Sequence, residues 1–404
     1  MTLPLEGVRV LDWTIWQQGP VASAMLGDLG AEVIKLEERE SGDPGRYLAA
    51  VGGSGLADRP NFYFEANNRN KKSLTLDLKQ PEAREIVYAL VEKSDVFVQN
   101  FRKGVAERLG IDAKTLRARN PRLVYASATG YGPEGPDSAE PSFDHLGLAR
   151  SGIMMAAGEP DMPPLGIAGG IADQMGAVML AYGVLAALLA RERTGEGQEV
   201  DASHLGSMMW LQGLSMSCRL MAGFPFPRSF RAQAFNPLWN HYRCGDDRWI
   251  ALAMLQPDRY WADFAAAIGH PELAEDPRFR AAPERGKNRT ECVEILDAAF
   301  ASRSRDEWLV QLREAKGDFI FTIVNEPGDV PDDPQVRAND YVVEFDHPQH
   351  GPTEMLGVPF RLSETPGSVR LAAPEHGQHT EEVLLDVLGW EWDRISELRE
   401  RGVI

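Results

Sequence analysis

Asp173 heads the longest apolar run of the chain, Gln174 to Arg193 (QMGAVMLAYGVLAALLARER), and a carboxylate in that place has two uses. It can cap the helix, because its oxygens accept the free N–H groups of the first turn and its charge suits the helix dipole. It can also act as a nucleophile that carries an acyl group through a covalent intermediate. A second concentration of functional side chains is Trp13-Thr14-Ile15-Trp16-Gln17-Gln18-Gly19-Pro20. Two tryptophans and two glutamines are costly in a plain connector and useful beside a ligand. A third is Asp144-His145, which reads as an acid/base pair or as an ordinary surface pair. The methionines between Ser207 and Met221 either line an adaptable apolar pocket or pack a core.

These residues need a scaffold, and the patterning supplies one. Val8 to Asp12 reads as a strand, Val21 to Leu29 as a helix, and Glu32 to Leu36 as a second strand, which together make a βαβ unit. The alternation recurs with a strand at Ser73 to Leu78, a helix at Pro81 to Lys93, and strands at Asp95 to Gln99 and Leu123 to Ser127. This predicts a doubly wound, mostly parallel sheet with ligands at the carboxyl ends of its strands. No GxGxxG follows the first strand, which argues against an ordinary dinucleotide site. After the apolar helix, Thr194 to Gly197 (TGEG) offers a left-handed cap, and a strand follows at Gln198 to Ala202. The Phe224 to Pro227 break suggests a change of lobe, giving a first lobe over 1–222 and a second over 223–326. Pro327 to Pro334 reads as a linker, and 327–404 returns to the first lobe with helices at His379 to Leu388 and Glu391 to Arg401.

The chain has 404 residues, 43% of them apolar and 25% charged, which suits a globular protein of two lobes. A net charge of −18 disfavours nucleic acid but leaves room for a small anion held by a few local cations. The uncharged stretch Ala177 to Ala190 is expected to be too short for a bilayer, and no secretory pattern follows Met1. Three scattered cysteines suggest neither a disulfide framework nor a zinc site, and the eight histidines lack metal-ligand spacing, so a reducing cytoplasm without a metal is expected.

Seven blocks resemble, in order, the class III CoA-transferases, typified by formyl-CoA transferase and the carnitine and bile-acid CoA-transferases. They are LEGVRVLDW…GP…LGDLGAEVIKLE, NRNKKSLTLDLK, SDVFVQNFRKGVAERLGID, NPRLVYASATGYGPEGP, SFDHLGLARSG, IADQMGAVMLAYGVLAALLARERTGEGQEVDAS and PEHGQHTEEVLLDVLGW…GVI. The resemblance implies an α/β fold: a Rossmann-like large domain with a parallel sheet, a smaller α+β domain, and ring-shaped chains interlocked in a homodimer. It implies no resident cofactor, with coenzyme A as substrate between an acyl-CoA donor and a carboxylic acid acceptor. Asp173 falls on the family's catalytic aspartate, and Gln17 on a glutamine beside it. Ile15, Trp16, Arg39, Leu76, Lys79, Asn100, Phe101 and Arg108 fall on CoA contacts; Asp144, His145, Trp239 and Tyr242 are candidates for the acceptor pocket. Glu38 and Pro141 stand where formyl-CoA transferase has an arginine and a phosphate-binding lysine, and Phe235 to Asn240 replaces its glycine-rich loop. Two alternatives stand beside transfer. One is an α-methylacyl-CoA racemase, disfavoured because its histidine would fall on Phe143. The other is a CoA-binding subunit of a heteromeric transferase.

Overall fold

Strands covered on both faces carry apolar residues at successive positions, as Val10-Leu11, Val33-Ile34 and Val96-Phe97-Val98 do, and six strands build the central sheet. In the computed structural model, which describes residues 2–50 and 61–404, they are β1 (Arg9–Trp13), β2 (Glu32–Glu38), β3 (Lys71–Leu76), β4 (Val96–Gln99), β5 (Val124–Thr129) and β6 (Glu199–Ser203). All pairs are parallel, in the order β3-β2-β1-β4-β5-β6. The chain leaves β1 in both directions, so a crevice opens between the ends of β1 and β4, the usual ligand position in such sheets. The helices that connect these strands are α1 (Gln18–Asp28), α2 (Phe62–Asn68), α3 (Pro81–Val91), α4 (Val105–Leu109), α5 (Ala113–Arg119), α6 (Asp144–Ser151), α7 (Ile153–Ala156) and α8 (Ile171–Thr194). After β6 come α9 (His204–Leu211) and α10 (Gly213–Ala222).

Alternate residues of the strands feed two cores. Val10, Val33, Val96, Val98, Val124 and Ala126 pack with Val21 and Leu26 of α1 and Leu180 and Val184 of α8. Leu11, Ile34, Leu36, Leu74 and Phe97 pack on the other face with Ile86 and Leu90 of α3. That second core is completed by Val383, Leu384, Ile395 and Leu398, far along the chain. Helix α8 corrects one expectation: its 24 residues are long and apolar enough to cross a membrane by length and composition. Its buried residues, among them Ala177, Leu180, Ala181, Val184 and Ala187, form a stripe at helical spacing, as expected of a core helix. Gly176 lets α1 approach, since a Cβ there would lie 2.5 Å from Nε2 of Gln18.

The chain divides into two compact units: Met1–Met154, Gly166–Pro225 and Arg337–Ile404 in the first, Met155–Leu165 and Phe226–Val336 in the second. The chain passes between the units at Met154/Met155, Leu165/Gly166, Pro225/Phe226 and Val336/Arg337. Met155–Leu165 thus departs from the expected unbroken first lobe over 1–222, while the third passage falls inside the Phe224 to Pro227 break and the last just past Pro334. The second unit has an antiparallel sheet of β7 (Trp239–Arg243), β8 (Trp249–Ala253) and β9 (Phe321–Val324). Helices α11 (Pro257–Ala267), α12 (Ala282–Lys287), α13 (Arg289–Phe300) and α14 (Arg305–Glu314) accompany it. Its own core includes Trp261, Phe264, Phe300 and Trp308. A short α15 (Pro334–Arg337) leads back to the first unit, which adds the hairpin β10 (Val342–His347) and β11 (Gly351–Leu356), then α16 (Thr380–Asp386) and α17 (Trp392–Glu400).

Candidate active site

The turn after β1 is held in an unusual shape by charges beneath it. Trp16 has a φ of 66°, a left-handed conformation that a bulky side chain rarely adopts. Asp43 holds it there: its Oδ1 accepts the N–H of Trp16 at 3.0 Å and that of Gly45 at 2.8 Å. Lys35 pairs with Asp43 at 2.9 Å and donates to the carbonyl of Thr14 at 2.8 Å. Deeper still, Asp12 accepts the hydroxyls of Thr14 and Ser23 and pairs with Lys71 at 2.7 Å. These groups are fully buried, and burial alone would raise the Asp12 carboxyl; Lys71 and Lys35 hold it below its ordinary value. Just past β4, Asn100 clamps the turn through both ends of its amide, accepting the Ile15 N–H at 2.9 Å and donating to the Ile15 carbonyl at 2.7 Å.

Asp173 enters from the first turn of α8 and does not cap it. The preceding Gly170 has a φ of 69°. The cap comes from Asp144 at the start of α6, whose Oδ1 accepts the N–H groups of Ala172 at 2.6 Å and Asp173 at 3.2 Å. With that duty met elsewhere, the Asp173 carboxylate is available for other contacts. Its Oδ1 lies 2.8 Å from Nε2 of His204, the first residue of α9, and Nδ1 of His204 lies 3.2 Å from Oγ of Ser142. Gly170 makes room for Gln17: a Cβ there would sit 2.4 Å from the Gln17 amide nitrogen, so that amide lies against the start of α8.

A cavity of about 680 Å³ opens over these groups. Ile15, Trp16, Gln17, Asn100, Phe101 and Asp173 line it, as do Tyr63, Ser142, Phe143 and His204. Phe101 stacks on Trp13 at 4.0 Å, and Phe143 meets Trp16 edge-on at 6.2 Å. Burial, with the nearby charges of Asp173 and Asp43, raises the Tyr63 phenol, so it keeps its proton and remains a hydrogen-bond donor. The cations on the cavity wall are Arg102 and Lys103, with Lys103 donating to Pro133 and Ser138.

Several expected contacts lie elsewhere. Leu76 is buried in the sheet core, because its strand is covered on both faces. Arg39 donates to the main chain of Ile404 and pairs with Glu40, beside a separate pocket of about 260 Å³ that also includes His376 and Arg399. Lys79 and Arg108 are exposed and are not among the cavity-lining residues. Asp144 is occupied by the α8 cap, and His145 is exposed outside the cavity wall. Tyr242 is fully buried in the second unit, its hydroxyl donating to Pro237 at 2.7 Å, so it presents no surface to a substrate. Trp239 belongs to the same unit and is half exposed. Sequence reasoning missed Tyr63, Ser142 and His204. For His204 a signal existed: it directly follows a parallel strand, at the end where such sheets bind ligands.

A family model described as CoA-transferase family III matches residues 5–380. Among curated proteins, the chain is 32% identical over 401 residues to (R)-2-hydroxy-4-methylpentanoate CoA-transferase of Clostridioides difficile, with 99% of each covered. It is also 32% identical to succinyl-CoA–D-citramalate CoA-transferase of Chloroflexus aurantiacus, over 99% of this chain and 98% of that protein. Among solved structures, a CAIB/BAIF family protein from Brucella suis superposes with a TM-score of 0.84 at 29% identity, covering 96% of this chain and all of that one.

Proposed function

The chain belongs to CoA-transferase family III and is a CoA-transferase; from that premise we propose that Asp173 carries the acyl group between an acyl-CoA donor and a carboxylic acid acceptor. One observation carries this reading. Asp173 is at the head of α8 without capping it, and it lines the cavity while Asp144 takes the N–H groups a cap would take.

In the first step a carboxylate oxygen of Asp173 attacks the donor thioester carbon, the C–S bond breaks, and CoA thiolate leaves a mixed anhydride. The thiolate then attacks Cγ of Asp173, releasing the donor carboxylate and leaving an aspartyl-CoA thioester. The acceptor carboxylate reverses both steps, so thioester energy is conserved. Gln17, against the start of α8, polarises the reacting carbonyl as a preorganised donor. The pantetheine arm runs along Ile15 and Phe101, and the phosphates meet Arg102 and Lys103 rather than Arg39, which lines a separate pocket. Small 2-hydroxy acids are the first acceptors to assay, because both relatives named above carry one in their names. Association of two chains is part of the proposal; Trp210, Leu214, Leu220 and Met221 on α9 and α10 are exposed apolar surface that such a partner would cover.

Borohydride or hydroxylamine trapping with acyl-CoA tests the route. Label on the peptide holding Ile171 to Met175, absent from Asp173→Asn, is expected; label on any other residue overturns the assignment. In deuterated water without acceptor, an α-chiral acyl-CoA should keep its α-hydrogen, whereas rapid exchange would favour racemisation. The placement of His145 outside the cavity wall already weighs against racemisation.

A further inference from the structure

We infer that His204, fixed in its Nε2–H tautomer by Ser142, holds one oxygen of Asp173 and polarises the aspartyl carbonyl when CoA thiolate attacks it. This rests on Asp173 as the nucleophile and adds a second catalytic group to it.

For a neutral imidazole the contacts select one tautomer. An ionised carboxylate only accepts hydrogen bonds, so the 2.8 Å contact between Asp173 Oδ1 and His204 Nε2 requires a proton on Nε2. In neutral imidazole Nδ1 is then an acceptor, and the Ser142 hydroxyl at 3.2 Å supplies the donor. The ring has little freedom to choose otherwise. The His204 side chain is 5% exposed, against 16% for Asp173. Two glycines make room for the ring and its partner. A Cβ at Gly147 would lie 2.8 Å from Cβ of His204, and one at Gly130 would lie 2.3 Å from Cβ of Ser142. The N–H of Leu205 donates to the Gly130 carbonyl at 3.1 Å and fixes the start of α9 against that loop. Thus α9, the 130–143 segment and α8 each contribute one member: His204, Ser142 and Asp173.

The consequence follows the two carboxylate oxygens. Among the described residues the hydrogen bonds of Asp173 outside its own helix are its N–H to Asp144 and its Oδ1 to His204, and neither engages Oδ2. Oδ2 is therefore the attacking atom. Once it is acylated, Oδ1 becomes the carbonyl oxygen of the anhydride, still facing the Nε2–H donor. When thiolate sulfur bonds to Cγ, negative charge develops on Oδ1, 2.8 Å from a donor already in place. The charge returns as the Cγ–Oδ2 bond breaks and the carboxylate departs, with no proton transferred at any stage. Preorganised donors of this kind are worth roughly 10²- to 10³-fold in rate.

Three measurements test it. Imidazole ¹⁵N shifts of ¹⁵N-histidine-labelled enzyme should show His204 Nε2 protonated and Nδ1 as acceptor; a protonated Nδ1 with bare Nε2 overturns the proposal. Rapid-quench mass spectrometry with acyl-CoA should show His204→Met forming and consuming the aspartyl-CoA adduct about 10²-fold more slowly, with CoA affinity unchanged. His204→Gln, which restores an N–H at a similar reach, should recover most of that loss. Wild-type adduct kinetics in His204→Met, or His204→Gln as slow as His204→Met, would sink the role. Failure of the underlying reading looks different: no adduct would form at Asp173 even in the wild-type enzyme.

Discussion

Asp144→Ala should loosen the head of α8, and the size of the effect follows from two hydrogen bonds. Oδ1 of Asp144 accepts the Ala172 N–H at 2.6 Å and the Asp173 N–H at 3.2 Å. Ala172 is fully buried, so water cannot readily replace the lost acceptor. A hydrogen bond to a charged group is worth about 1.5–3 kcal/mol, and losing a helix cap costs about 0.5–2 kcal/mol. The longer contact adds little, so about 2 kcal/mol is expected, or roughly 30-fold in a local opening equilibrium. Hydrogen exchange over residues 171–176 reads it directly: the amides of Ala172 and Asp173 should exchange roughly 30-fold faster. Transfer activity should fall by about tenfold, since a misplaced nucleophile reacts less often. Asp173→Asn should invert the pattern, with those amides as protected as in the wild type and transfer reduced beyond about 10³-fold. Unchanged exchange in Asp144→Ala, or equal deprotection in Asp173→Asn, would show that Asp173 is the cap after all.

Asn100→Ala removes both contacts to Ile15, each worth about 1 kcal/mol, and should raise KM for acyl-CoA by roughly 5- to 30-fold, measured in steady-state kinetics. Lys71→Met leaves buried Asp12 without its direct partner and should cost about 3–5 kcal/mol in denaturant unfolding. Burial alone would raise the Glu37 carboxyl, but Arg46 and Lys35 bring it down to about 2. Its stabilisation is therefore present above the unfolded value near 4.5 and is lost as pH falls toward 2; it amounts to something on the order of 3 kcal/mol, which Glu37→Gln should remove from the acid-unfolding profile. Mixed tagged and untagged enzyme should show no subunit exchange over hours if the chains are interlocked, whereas ready exchange would exclude that arrangement.

The parallel sheet was legible because its strands read as short apolar runs separated by helical periodicity, and seven motif blocks in order made the family legible too. The site was legible only in part. Asp173, Gln17, Ile15 and Trp16, which the resemblance grouped together, line one cavity. The role of Asp144 was not, because its target N–H groups lie 28 and 29 residues away and only the folded helices bring them together. His204 is 31 residues from Asp173, and no spacing rule connects them. Leu76 and Tyr242 show the converse limit, since a side chain matched by position can end in a core as easily as in a pocket. The left-handed Trp16 had no signal either; its conformation is imposed by Asp43, 27 residues on.

The interrupted construction of the first unit also has a bearing on how the protein is born. One face of the six-stranded sheet is covered by Val383 and Leu384 of α16 and by Ile395 and Leu398 of α17, with Val403 beyond them. Ser73 on β3 donates its hydroxyl to Glu37, and its main-chain N–H and carbonyl are met by His379. On the ribosome those partners emerge some three hundred residues after the strands they cover. Meanwhile the second unit, whose core begins at Leu238 and whose last strand β9 ends at Val324, has already been made. The nascent chain thus carries a finished insert within an unfinished host whose leucine-rich sheet face is still open. That is a state in which chaperone contact or aggregation competes with folding, and translation pauses over residues 337–380 would prolong it.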